Sequence, residues 1–400
     1  MPKNWKIYKL EEVAQLRKEG IKPSDFNGED YIGLEHIGQG DFLLDGIGKA
    51  SDVKSNKSKF VEGDILYGKI RPYFKKVYRP KFSGICSTDI LIINTKNENL
   101  VSQSYLHHLI KTQEFTDKAT ETSSGTKMPR ADWKSLEKWG ISFPPLPEQT
   151  QIANILSAID DKIENNLAIN KTLEDMAMAL YKHWFVDFGP FQEGEFIDSE
   201  LGLIPKGWEV KHLHEISINH NKKRKPISTR ERAKIQGSYP YYGATKILDY
   251  IDDFRFEGEY ILLAEDGTVK TERDTPFLQF IRGQFWVSNH AHVLTGNENI
   301  STEFLYLILS NTNVIPIITG AVQLKINKQN LEGLQFIVPD KEKLIEFESL
   351  IISNYQQLKN LEEENLKLAK LRDTLLPKLI SGEVRLKEFR EGIDAEINSA

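Results

Sequence analysis

Residues 142–185 read SFPPLPEQTQIANILSAIDDKIENNLAINKTLEDMAMALYKHWF, and the architecture follows from this stretch. Pro144, Pro145 and Pro147 cannot sit in a helix interior, while Glu148 suits the positive end of a helix, so a helix begins here. Beyond it Ile152, Leu156, Ile159, Ile163, Asn166, Asn170, Leu173, Ala177, Leu180 and Trp184 recur at alternating steps of four and three. That spacing is a coiled-coil seam and predicts a helix to about Phe185. After Pro339 a second seam runs through Phe347, Ile351, Asn354, Leu358, Leu361, Asn365 and Leu368. The two seams are best buried against each other, which predicts an antiparallel pair. Asn170 and Asn365 interrupt the two stripes 195 positions apart. A buried Asn lowers stability but fixes helix register, because only one alignment supplies its amide with a partner. A solvated Asn on a loosely packed stripe is the alternative reading.

The sequence leading into each helix is also doubled. Pro2, Trp5 and Leu10 are answered 203 positions later by Pro205, Trp208 and Leu213. Gly125, Leu136 and Pro144 are answered by Gly320, Leu331 and Pro339 at an offset of 195. Each half therefore reads as a mixed domain of strands and short helices ending in one long helix. The expected fold class is α+β, two mixed α/β domains in pseudo-two-fold repeat separated by two long antiparallel coiled-coil helices. The boundaries drawn are 1–145 for the first domain, 146–190 for its helix and 191–204 for a linker. The second domain is drawn at 205–338, its helix and following segment at 339–386, and a tail at 387–400.

Four hundred residues exceed what one core usually organises, and 40% hydrophobic with 28% charged residues is an ordinary globular balance. No apolar run approaches the roughly 20 residues that span a bilayer, and Met1–Trp5 has no apolar leader, so no membrane contact and a cytoplasmic location are expected. Cys86 is the sole cysteine, which excludes a disulfide framework or a Cys-based zinc site within the chain.

Catalytic motifs are approached and missed. Gly63 to Gly68 and Lys69 begin a phosphate-binding loop, but Ile70 stands where a magnesium-binding Ser or Thr is required. The single Pro-Pro follows Phe143, not the Asn or Asp with which an amino-methyltransferase would bind its target amine. Pro339-Asp340 lacks the rest of a nuclease signature and reads as a helix cap. His212-x-His214 and His290-x-His292 have no further ligand at zinc-like spacing. No catalytic residue and no metal site are expected.

What remains is charge. The formal net is −6, yet affinity for phosphate depends on where cations cluster. Between Lys49 and Lys81 basic residues outnumber acidic ones, with Tyr67, Tyr73, Phe74 and Tyr78 interleaved. Lys69, Arg71, Lys75 and Lys76 are the candidates there for binding DNA. In the second half the cations gather at Lys222, Lys223, Arg224, Lys225 and Arg230, with Lys246 beyond. Lys127, Arg130 and Lys325 flank loops ahead of each long helix. A solvated basic surface is the alternative for the run between Lys49 and Lys81. The two main clusters occupy different parts of the halves, so two DNA readers would read different sequences.

Over about Trp5 to Leu386 the chain resembles the specificity subunits of type I restriction-modification systems. The stretches that carry the likeness are SFPPLPEQTQIANILSAIDDKI at 142–163, YKHWFVDFGPF at 181–191, LGLIPKGWE at 201–209 and LLPKLISGEV at 375–384. DYIGLEHI at 30–37 and YPYYGATKILDYI at 239–251 are similar to the family's target recognition domains. The resemblance implies a non-catalytic subunit whose two domains each read half of a split, asymmetric double-stranded DNA target. The helices would set the spacer. Some 33 helical residues span roughly 50 Å, more than one DNA turn of roughly 34–36 Å. It further implies two methyltransferase subunits that carry S-adenosylmethionine and flip the target base, with restriction and motor subunits in the full complex. No cofactor is expected in this chain. The competing reading is a coiled-coil scaffold or decoy of the same fold without productive DNA reading.

Overall fold

The computed structural model describes residues 4–125 and 127–386; Pro2 and the tail 387–400 lie outside the described residues. The chain forms two compact units, Met1–Ile169 with Leu361–Ala400, and Asn170–Asn360.

In the first unit the strand Lys6–Lys9 pairs antiparallel with Gly140–Phe143, Lys6 opposite Phe143 and Lys9 opposite Gly140. A short helix, Leu10–Val13, follows at once and buries Leu10 and Val13. Between these closing strands lie a four-stranded sheet, in the order Ala14–Leu16, Ile90–Thr95, Ile65–Gly68 and Val77–Tyr78, and a five-stranded sheet. The near-match to a phosphate loop is thus a turn at Gly63 running into a buried strand, Ile65–Gly68. Tyr67, Tyr105, Phe115 and Phe143 are fully buried in a core that also takes Ile152 and Leu156 from the first long helix and Leu376 and Leu379 from the second. Each such side chain contributes about 1.5–3 kcal/mol by leaving water, so the globular part and both helix segments of this unit fold around one core.

The second unit repeats the frame. Glu209–His212 pairs antiparallel with Gln335–Val338, and the short helix Leu213–Ile216 that follows buries Leu213 and Ile216. The sheet within differs, having six strands in the order Ser217–Asn219, Ala291–Gly296, Phe256–Ala264, Leu278–Val287, Gln236–Tyr242 and Ile247–Ile251. Its helical face is aromatic: Phe185 lies 4.7 Å from Phe347 and 5.0 Å from Phe304, and Trp184 lies 5.7 Å from Phe347.

The long helices are Leu146–Phe185 and Lys341–Ser381. Pro147 sits in the first turn, where a missing N–H costs nothing. The second helix is capped by Asp340, whose carboxylate accepts from the Lys343 amide at 3.0 Å. In the first unit Asp160 meets Arg372 and Asn166 meets Asn365, so the sequence numbers run in opposite directions and the helices are antiparallel. In the second unit Trp184, near the end of one helix, faces Phe347, near the start of the other.

The partner of Asn365 is Asn166, whose Nδ2 donates to Asn365 Oδ1 at 2.9 Å and to Glu364 at 2.8 Å. Asn365 thus has the buried amide partner expected of a register-fixing Asn, and the residue that supplies it is Asn166. Asn170 is buried, and its Oδ1 has no partner among the described residues. Tyr181 and Tyr355 are buried where the seams placed Leu180 and Asn354, which are half-buried. The fold is α+β, two mixed domains built on one frame with two long antiparallel helices.

Candidate nucleic-acid interface

The basic run of the first unit is largely engaged within the protein. Lys49 pairs with Asp30 at 2.5 Å, Lys59 with Glu19 at 3.5 Å, and Lys81 with Asp161 and Glu164 at 2.8 and 2.7 Å. Lys76 directs its ammonium to the carbonyls of Leu34, at 2.6 Å, and Ile37. It fastens a loop from within. Arg71 and Lys75 bracket the turn Pro72–Phe74 and both adopt the left-handed conformation, with φ of 51° and 49°. Arg71 lies over the Phe74 ring, and its Nε is buried without a hydrogen-bond partner among the described residues. Lys69 donates to the Thr88 carbonyl at 2.8 Å and pairs with Asp89 at 3.3 Å. Arg130 reaches the same Asp89 at 3.8 Å and is 46% exposed, and Lys127 is exposed beside it.

In the second unit Lys222, Lys223, Lys225, Arg230 and Lys246 are exposed. Local structure fixes their backbones. Lys222 and Lys223 lie in the 3-10 turn Asn221–Lys223, Arg255 donates to the Lys223 carbonyl at 2.9 Å, and Trp286 Nε1 donates to the Lys225 carbonyl at 2.7 Å. Arg230 is on the short helix Thr229–Arg232, capped by Ser228 and Glu231, and Lys246 closes the turn between Gln236–Tyr242 and Ile247–Ile251.

Arg224 has a different setting from its neighbours. Only 14% of its side chain is exposed, and its Nη1 donates to Glu265 at 2.8 Å and to the Ala291 carbonyl at 2.7 Å. Burial pushes the Glu265 carboxyl up, but the Arg224 hydrogen bond and the charges of His292, Arg224 and Lys325 outweigh it and leave the pKa below the ordinary value. Lys325, 49% exposed, pairs with Glu265 at 3.5 Å. His292 is buried between Asn221 and the Ile326 carbonyl, while His290 bonds Asp266 at 2.9 Å. Among the described residues no group of three His, Cys, Asp or Glu is placed to hold a metal, and no helix is long and apolar enough to cross a membrane.

The sequence reading passed over a buried polar cluster in the first unit. Lys111 and Arg372, only 2% and 5% exposed, share Asp160 at 2.6 and 3.6 Å, and both cations lie over the Phe42 ring. A cavity of about 340 Å³ opens beside them. Gln149, fully buried, binds the carbonyls of Leu100 and Pro144 and the amide of Ser102. One signal existed for it. Ser102 with Gln149 is matched by Ser301 with Glu348, whose carboxylate accepts the Ser301 amide at 3.1 Å, at an offset of 199 rather than 195.

A family model described as the type I restriction modification DNA specificity domain matches this chain twice, over residues 2–175 and 205–369. The chain is 27% identical to the type I restriction enzyme MjaIX specificity subunit of Methanocaldococcus jannaschii, over 97% of this chain and 95% of that one. It is 24% identical to the type I restriction enzyme HindI specificity subunit of Haemophilus influenzae, over 95% of this chain and all of the other. Among solved structures, the S subunit of a type I restriction-modification system from M. genitalium is similar in fold, with a TM-score of 0.52 at 18% identity over 94% of this chain and 96% of that one. With both of its halves matched, the chain belongs to the family of type I restriction-modification DNA specificity subunits, the sequence-recognition components of these systems and not their catalytic ones.

Proposed function

We infer that this chain reads a bipartite, asymmetric double-stranded DNA target and positions methyltransferase subunits upon it. The observation that carries this reading is the pair of like frames with unlike exposed cations. Lys222, Lys223, Lys225, Arg230 and Lys246 project from one unit, and Lys127 and Arg130, with the half-buried Lys75, lie on the other. Phosphate contacts set orientation and base contacts set sequence, so two domains that differ around a common frame suit two different half-sites. Arg71 and Lys69 belong with the cations of the first unit, whereas Lys76 in that unit and Arg224 in the second support the loops that present the exposed cations.

Partner docking is assigned to the long helices. In the first unit Leu366 is 73% exposed and Leu371 46%, and in the second Ile352 is 68% and Met176 55%. Apolar side chains exposed along helices fit contact with two methyltransferase subunits, which would bring S-adenosylmethionine, and restriction and motor subunits would join that complex.

Long-read methylation mapping in a host carrying the cognate methyltransferase, with and without this gene, tests the reading. A split adenine-methylated motif that vanishes with the gene is expected. Unchanged methylation would overturn it and favour a scaffold or decoy.

A further inference from the structure

The loops flanked by Arg130 and by Lys325, ahead of the two long helices, are the same device built twice. In the second unit the amides and carbonyls of Thr319 and Lys325 bond each other, both at 2.8 Å, and close a finger. In the first, Ser124 and Arg130 do the same at 3.1 and 3.0 Å. Gly320 and Gly125 begin the returns with φ of 89° and 95°, and at Gly320 a Cβ would stand 2.2 Å from the Gln323 carbonyl oxygen. Each finger is held against one neighbouring segment by two further backbone bonds. These are Ile326 to Glu265 at 2.9 Å and Gly267 to Leu324 at 3.0 Å, matched by Ala131 to Lys69 at 2.9 Å and Arg71 to Pro129 at 2.7 Å.

The charges are duplicated as well. In each case two cations share one carboxylate: Arg224 and Lys325 on Glu265, Lys69 and Arg130 on Asp89. Asp266, the other acid at the second finger, is hydrogen-bonded to His290 at 2.9 Å. Each pair of cations exceeds its shared carboxylate by one positive charge, carried at the finger's base by Arg130, 46% exposed, and Lys325, 49% exposed. Val322 is fully exposed on the second finger and Met128 44% exposed on the first, so neither finger is covered by its own unit.

We propose that the two fingers are sequence-independent clamps, in which Arg130 and Lys325 each bind a DNA phosphate while surfaces outside the fingers read the bases. The inference rests on the DNA-reading function above. A feature common to both domains cannot distinguish two different half-sites. Arg and Lys at equivalent positions share their charge but not their hydrogen-bonding geometry, and phosphate accepts either whereas a base edge does not. The backbone bonds hold the cation in place before DNA arrives, which lowers the ordering cost of contact.

The test measures binding of the purified full chain to a random-sequence duplex pool and to its mapped target over a series of KCl concentrations, together with selection of preferred sequences from the pool. Arg130→Gln and Lys325→Gln should each lower the slope of log affinity against log salt by about 0.9, and the double variant by about 1.8, on target and pool alike. A reduction of 0.9 is about a 3.5-fold smaller loss of affinity across a four-fold rise in salt. The selected motif should not change, and Lys325→Arg should keep the wild-type slope. If the wild type discriminates its target but the Gln variants keep its slope, the clamp is refuted and the DNA-reading function stands. A changed motif would also refute it, by making the cation a base reader. A wild type that does not prefer its target would overturn the DNA-reading function and the clamp with it.

Discussion

Replacing Asp160 with Ala should destabilise the first unit more than any surface change in it. Asp160 is the carboxylate of Lys111, 2.6 Å away, and Lys111 is 2% exposed. Arg372 also uses Asp160 but keeps the Asp41 carbonyl at 3.0 Å and Asp373 at 2.9 Å. The loss therefore falls on Lys111, which is left over the Phe42 ring, 4.9 Å from Nζ, with Glu164 as a weaker counter-charge. Removing one partner of a buried ion pair costs about 3–5 kcal/mol, and for a unit of this size each kcal/mol is worth about 2–4 °C, which gives a fall of roughly 6–20 °C. Burial already lowers the Lys111 pKa despite Asp160. Without the carboxylate it falls further, so the unfolded chain binds a proton that the folded unit does not, and the variant's penalty should shrink as pH rises towards the ordinary lysine value of about 10.4. Lys111→Met in the same chain should recover most of the loss, because an apolar pair leaves no buried charge unpaired. Urea unfolding followed by tryptophan fluorescence reads all three quantities. A cost below about 1 kcal/mol for Asp160→Ala, or no recovery in the double variant, would refute the assignment of Asp160 as the counter-charge.

Further outcomes follow from the same structure. Burial, reinforced by Lys111, holds the His107 and His108 imidazoles well below their ordinary pKa, so both stay neutral when folded. As pH falls below about 6.5 the unfolded chain takes up protons that the folded unit does not, and stability should drop by about 2.7 kcal/mol per pH unit for the two together, read by urea midpoints between pH 7 and 5. His107→Phe should halve that slope. Phe347→Ala removes a fully buried ring from the Trp184, Phe185 and Phe304 cluster and should cost about 3–5 kcal/mol in the second unit by urea unfolding. Gly320→Ala should cost about 1–2 kcal/mol locally, seen as faster amide exchange at Thr319 and Lys325, because φ is 89° there and a Cβ would strike the Gln323 carbonyl.

The amino-acid order alone set the doubling, the helix that ends at Phe185 and the buried stripes, because each is written in a local period or in Pro and Gly at fixed offsets. It did not determine what each stripe meets. A seam with steps of three and four looks nearly the same after a shift of one turn, so Asn170 and Asn166 were equivalent on paper, and only packing placed Asn166 against Asn365. Nor could it separate free cations from engaged ones. Lys76 and Arg224 sit in the same basic runs as Lys75 and Lys225, yet one fastens the carbonyls of Leu34 and Ile37 and the other is held on Glu265. Those partners stand 39 to 42 residues away, where the chain's path through the fold and not its local pattern decides which groups meet.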